Sequence, residues 1–133
     1  MRAWFWTLFV VAALLPGPAC TRPAGEPATG TPIEIPGLPG YPGATELRHE
    51  SATMHWGYHH GSVGRLMVSE APMAQVQAFY ERAIAEQGWT VIAATEKDGA
   101  LHWHLFQGSS LGDIELSPHP GGRVEIHLER HDH

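Results

Sequence analysis

Residues 71–89, APMAQVQAFYERAIAEQGW, decide how the chain is read. Val76, Phe79, Tyr80, Ala83 and Ile84 fall at i, i+3, i+4, i+7 and i+8, one stripe on a helix of 3.6 residues per turn. Gln75, Gln77, Glu81, Arg82 and Glu86 occupy the other faces. Pro72 suits the first turn, where its missing N–H removes nothing from the helix ladder. Gly88 suits the left-handed position just past the end. One amphipathic helix cannot bury its own stripe, so the remaining segments must supply a partner surface.

Beyond Gly88 the period falls from 3.6 to 2. Trp89, Val91 and Ala93 alternate with Thr90, Ile92 and Ala94, and Lys97-Asp98-Gly99 carries a hairpin signal. ALHWHLFQ (100–107), LGDIELS (111–117) and RVEIHLER (123–130) follow, parted by Gly108-Ser109-Ser110 and by residues 118–122. Leu101, Trp103, Leu105, Ile114, Leu116, Val124, Ile126 and Leu128 form the apolar set and are expected to face the helix. His102, His104, Phe106, Asp113, Glu115, Ser117, Arg123, Glu125, His127 and Glu129 form the opposite, wetted set. Ahead of the helix, residues 45–58 and 62–68 read as two strands joined by His59-His60-Gly61. The expected fold is α+β, one amphipathic helix packed on one face of a mostly antiparallel sheet of four to six strands.

The start of the chain has another character. Arg2 precedes AWFWTLFVVAALL (3–15), an uncharged run too short to cross a bilayer comfortably but suited to an export signal. The segment ends in Leu15-Pro16-Gly17-Pro18-Ala19-Cys20, with the chain's one cysteine. This ending resembles the lipobox of bacterial lipoproteins, although Gly17 stands where leucine is usual and Pro18 is unusual. The resemblance implies a signal peptide over residues 1–19, diacylglycerol and N-acyl (palmitate-type) lipid on Cys20, and a mature N-terminus there. It also implies a place in the cell envelope, on a bacterial membrane and facing the periplasm. Two acyl chains suffice for stable anchoring. Residues 20–43, rich in Pro, Gly and Thr, read as a tether, with Ile33, Ile35, Leu38 and Tyr41 as an irregular arm, and residues 44–133 as a single domain. After the leader, 7 Lys and Arg stand against 14 Asp and Glu, which argues against nucleic acid as a partner. No second cysteine exists for a disulfide, so burial must hold the domain together.

Tyr41-Pro42-Gly43-Ala44, Val76, Phe79-Tyr80 and Gly88-Trp89 together resemble a group of small bacterial lipoproteins with a "yPgA" opening and a "V..FY...L...GW" helix. Ile84 stands at the Leu of that pattern. The matching positions form a turn, a core stripe, a helix stop and a core tryptophan, so the resemblance speaks for the fold and not for an activity.

Ten histidines follow the leader, a heavy load for this length. Imidazole is the commonest metal-ligating side chain, and residues at i, i+2 on a strand share a face. With turns centred on Ser109-Ser110 and on Pro120, His104 is expected opposite Glu115, Asp113 opposite His127, and Glu115 opposite Glu125. His102, His104, Glu115 and His127 are then the candidate ligands for zinc or copper. Against this stands a plain reading, a solvated polar face with one favourable His–Glu pair. Protonating all ten imidazoles would invert the charge of the mature chain, so a response below pH 6 is a third expectation. Met54, Trp56, Tyr58, His59 and His60 form a candidate ligand or partner patch. No phosphate-binding loop, nucleophile elbow or H-E-x-x-H motif is present. These features suggest a lipid-anchored binding or accessory module without catalytic activity, its partner an envelope protein or a small ligand. The competing expectation is a periplasmic zinc- or copper-binding protein.

Overall fold

The structure, a computed structural model, describes residues 33–133 apart from Gly57, and for residues 52–60 it describes the backbone only. The leader and Cys20 lie outside the described residues. In chain order the elements are β1 (Thr45–Trp56), β2 (Tyr58–Ser69), α1 (Met73–Glu86), β3 (Thr90–Lys97), β4 (Ala100–Gln107), β5 (Ser110–His119) and β6 (Arg123–Asp132). The strands form one sheet in the order β1-β2-β6-β5-β4-β3. Every pairing is antiparallel. The meander expected after the helix is therefore joined to the preceding hairpin through β2 and β6.

Helix α1 begins after Pro72, whose extended backbone places it at the N-cap. The helix ends in a paired closure, with Trp89 N–H donating to Ile84 O at 3.1 Å and Gly88 N–H to Ala85 O at 3.3 Å. Gly88 takes the positive φ that this Schellman arrangement demands. Val76, Tyr80, Ala83 and Ile84 are buried, as the stripe predicts. Phe79 is half-buried and meets Tyr41 and Tyr80 edge-on at 5.1 and 5.0 Å.

On β5 and β6 burial alternates residue by residue. Trp103, Leu105, Ile114, Leu116, Val124, Ile126, Leu128 and Met67 share one hydrophobic cluster with Val76, Tyr80, Ile84 and Trp89. Burying this set drives the fold, because each large apolar side chain removed from water contributes about 1.5–3 kcal/mol. β3 departs from the expected alternation. It is an edge strand, all eight residues are exposed, and a bulge lies between Val91 and Ala93.

The first hairpin also departs from expectation. Trp56 pairs with Tyr58, and His59 and His60 belong to β2 rather than to a connecting loop. Glu46, Arg48, Glu50 and Ser51 hide the strand from an alternation test because β1 is an edge strand with its own bulge between Glu46 and Arg48.

Ahead of β1, residues 33–44 form a strap. Ile35 and Leu38, expected in an irregular arm before the first strand, are 3% and 1% exposed and belong to the core cluster.

Candidate functional site

The outer face of the sheet is built by three hairpin turns, and their chemistry sets its register. Asp98 and Gly99 both have positive φ and close Lys97 onto Ala100. This is the Asp-Gly primed turn that suits strand twist. Gly108 alone has positive φ in the next turn, which closes Gln107 onto Ser110 with two residues between. The third turn closes His119 onto Arg123 around Gly121 and Gly122, both at positive φ.

The expected register is therefore corrected by two residues at both later turns. His104 pairs with Asp113 rather than Glu115, and His102 pairs with Glu115. Glu115 pairs with His127, and Asp113 pairs with Glu129. The cause is the preference of a two-residue turn for glycine at its first central position, which puts the reversal at Gly108-Ser109. A shift by two keeps every side chain on its expected face, so the wetted set survives while its pairs change.

Asp113 is the hub of this face. His102 Nε2–H and His104 Nδ1–H both donate to its Oδ1, at 2.9 and 2.7 Å. An ionised carboxylate only accepts, so each of those ring nitrogens carries the proton. Burial pushes the Asp113 carboxyl up, but the hydrogen bonds and charges of His104 and His102 outweigh it and hold the group below its ordinary value. Around the hub, His131 Nε2 lies 3.0 Å from Glu129 Oε1 and His119 Nδ1 lies 3.3 Å from Glu125 Oε2. Glu115 accepts from Ser117 Oγ at 3.1 Å.

Of the four candidate ligands, His102 and His104 are thus brought together, but on Asp113. Glu115 stands in register between His102 and His127, and its carboxylate is bonded to Ser117. Among the described residues, no group of three or more His, Cys, Asp or Glu side chains is arranged to hold a metal ion. Asp113 was legible only through the choice of turn, since a Gly-Ser loop rather than a Ser-Ser loop puts it opposite His104.

Met54, Trp56, Tyr58, His59 and His60 are placed by backbone alone, with Met54 opposite His60 and Trp56 opposite Tyr58. Their side chains lie outside the described residues. Two clefts flank the sheet elsewhere. One of about 450 Å³ is lined by Thr45, Leu47, Val68, Glu70, His119, Pro120 and Arg123. Another of about 250 Å³ runs along the exposed side of α1 and β3, lined by Gln77, Glu81, Ala94, Thr95, Glu96, Leu101, His102 and Trp103.

A buried ionic pair was not foreseen. Arg65, 7% exposed, grips Glu46 with Nε at 3.1 Å from Oε1 and Nη2 at 2.8 Å from Oε2. That hydrogen bond raises the Arg65 pKa further, against the effect of burial. Arg65 Nη1, His49 Nδ1 and Tyr80 OH are buried without a hydrogen-bond partner. Burial also pushes the Tyr80 hydroxyl well above its ordinary pKa.

No helix among the described residues is long and apolar enough to cross a membrane. Comparison with known families finds that residues 60–122, from β2 into the turn before β6, are similar to the START domain-like family. No curated protein and no solved structure matches the chain.

Proposed function

We propose that this chain is a non-catalytic binding module, held at the bacterial cell envelope by lipid on Cys20 and facing the periplasm. In this reading α1 covers one face of the sheet and leaves the face around Asp113 to engage an envelope protein or a small ligand. The observation that carries it is the likeness of residues 60–122 to the START domain-like family, which speaks for a ligand-binding fold. Ser110 Oγ donates to Asp132 and Ser62 Oγ to Glu129.

Two experiments test the two halves. A photo-crosslinking residue placed at Glu115 or at His127 in cells gives the same discrete adduct, and one placed at Gln75 on the helix gives none. Absence of any adduct from both outer-face positions removes the docking reading. Metabolic labelling with an alkyne fatty acid marks the chain and is lost in Cys20→Ser; labelling that survives the substitution removes the anchor.

A second reading rests on the convergence of His102 and His104 on one carboxylate oxygen. As placed, these two imidazoles and Asp113 do not form a metal-holding set, so zinc or copper would have to regroup them and displace the protons that now join them. Calorimetric titration of tag-free protein with Zn(II) and Cu(II) decides it. One-to-one binding at micromolar affinity, lost in both His104→Ala and Asp113→Asn, supports the metal. Weak binding of several equivalents, indifferent to both changes, excludes it.

A further inference from the structure

The sheet ends in two edges, β1 and β3, and their sequences treat an approaching chain differently. An open edge offers unpaired N–H and C=O groups to any extended segment, and natural proteins blunt it with charge, proline, a bulge or a cover. On β1, Glu46, Arg48 and Glu50 supply charge, and a bulge lies between the first two. On β3, residues 90–95 (TVIAAT) carry no charge, proline or glycine. All eight residues of β3 are exposed. Its bulge sits near the start, between Val91 and Ala93, so residues 93–97 keep a regular register with β4.

Apolar surface gathers at the same edge. Val91, Ile92 and Phe106 are the large apolar side chains left exposed among the described residues. Val91 and Ile92 belong to β3, and Phe106 pairs with Thr90 from the neighbouring strand. Single exposed apolar residues are ordinary, but a cluster on an open edge marks a contact surface.

The core-side face of this edge is acidic. Val91 and Ala94 pair with the buried Leu105 and Trp103, which places them on that face. Helix α1 meets the sheet at β5 and β6. Beside it, the cleft of about 250 Å³ opens between α1 and β3, with Leu101 and Trp103 in its lining. Its charged lining residues are both carboxylates, Glu81 from α1 and Glu96 from β3, and the His102 ring is bonded to Asp113. Gln77 Nε2 donates to Glu81 Oε1 at 2.9 Å and orients that carboxylate. Lys97 falls on the opposite face by alternation.

We propose that the β3 edge is a docking site for an extended partner segment that alternates basic and apolar residues, taken up as a further strand of the sheet. Such a segment sends alternate side chains to the two faces. Its Lys or Arg stems pack beside Leu101 and Trp103 while their heads meet Glu81 and Glu96. Its apolar residues lie on the face of Phe106. Main-chain bonds give affinity, and the unlike faces give selectivity. This edge is distinct from the face around Asp113, and the inference does not depend on docking there.

The test uses the full chain and a blocked synthetic peptide, TKVKVKVT, whose lysines and valines fall on opposite faces of a strand. Titration followed by amide resonances shifts Val91 to Thr95 and slows their exchange, and leaves β1 unmoved. The charge-reversed TEVEVEVT and the ladder-breaking TKVPVKVT each bind on the order of tenfold more weakly. Glu81→Lys and Ile92→Lys change exposed side chains and keep the fold, and each weakens TKVKVKVT on the order of tenfold, by like charge and by a blunted edge. A peptide that moves no β3 amide overturns the proposal. So does equal binding of the charge-reversed peptide, or binding indifferent to both variants. A wild-type dimer in sedimentation velocity that Ile92→Lys dissolves also overturns it, because a second copy then takes the edge. Adducts at Glu115 that persist in any of these cases leave the binding-module reading standing.

Discussion

The indole N–H of Trp89 donates to the carbonyl of Gly37 across 2.8 Å, joining the residue that closes the helix to a turn 52 positions earlier. Trp89 is 6% exposed, so losing its donor strands a carbonyl with little access to water. Trp89→Phe keeps most of the apolar area and removes the bond. It lowers unfolding free energy by about 1–3 kcal/mol, the cost of an unmet polar group. Urea melts of the two proteins measure this, and equal midpoints would show that the bond contributes nothing.

The other side of the same ring is set by Gly112. A Cβ there would stand 3.2 Å from Trp89 Cη2 and Cζ3, and 3.5 Å from the Leu105 Cβ. Gly112→Val therefore crowds a ring already fixed by its hydrogen bond, and destabilises by about 1–3 kcal/mol as overpacking does. Combined with Trp89→Leu, which vacates the space, the valine costs less than it does alone. A double-mutant cycle in thermal unfolding checks this, and additive effects would break the link.

How much of this was legible beforehand follows from which signals are local. The helix, its buried stripe and its glycine stop were readable because periodicity and C-capping involve neighbours a few residues apart. The two faces of β4, β5 and β6 were readable for the same reason, and a two-residue error in register left them intact. The partner of Asp113 depended on whether Gly108 or Ser109 opened the turn, a choice that alternation does not constrain. β3 reads as half-buried by pattern, but its edge position leaves Val91 and Ile92 45% and 55% exposed. Ile35 and Leu38 stood out from the tether as an irregular arm, but the Pro and Gly around them leave no periodicity that would show how they are seated. Only long-range donors such as Trp89 and Arg130 make that composition a seated turn.

Arg65 and Glu46 form a buried pair of the kind whose halves are worth more to each other than to the fold. Their side chains are 7% and 13% exposed. Arg65→Met leaves the partly buried Glu46 carboxylate without its guanidinium, and costs up to about 3 kcal/mol, less than a fully buried pair would lose. Replacing both, as Arg65→Met/Glu46→Leu, removes the desolvation penalty along with the attraction and recovers most of that loss. Chemical denaturation of the wild type, both single variants and the double variant gives the coupling directly. A double variant as unstable as the worse single variant would mean that the pair organises β1 and β2 beyond its own charges.

Asp113 couples the outer face to acid. Burial alone would raise its carboxyl pKa, but bonds from His104 and His102 leave it below the ordinary 3.8. A group whose folded pKa is depressed adds stability above its unfolded pKa, and loses that stability as pH falls through the folded value. The contribution of Asp113 is therefore complete at neutral pH, starts to fall near pH 4, and is gone only below its folded value, where the carboxyl is protonated in both states. Asp113→Asn is less stable than the wild type at pH 7, because two imidazole N–H donors face an amide instead of a carboxylate. Its unfolding free energy falls less steeply than that of the wild type between pH 4 and pH 2. Parallel denaturation curves in that window would show that the two histidines do not hold the Asp113 proton off. An Asn variant as stable as wild type at pH 7 would show that the hub contributes nothing to the fold.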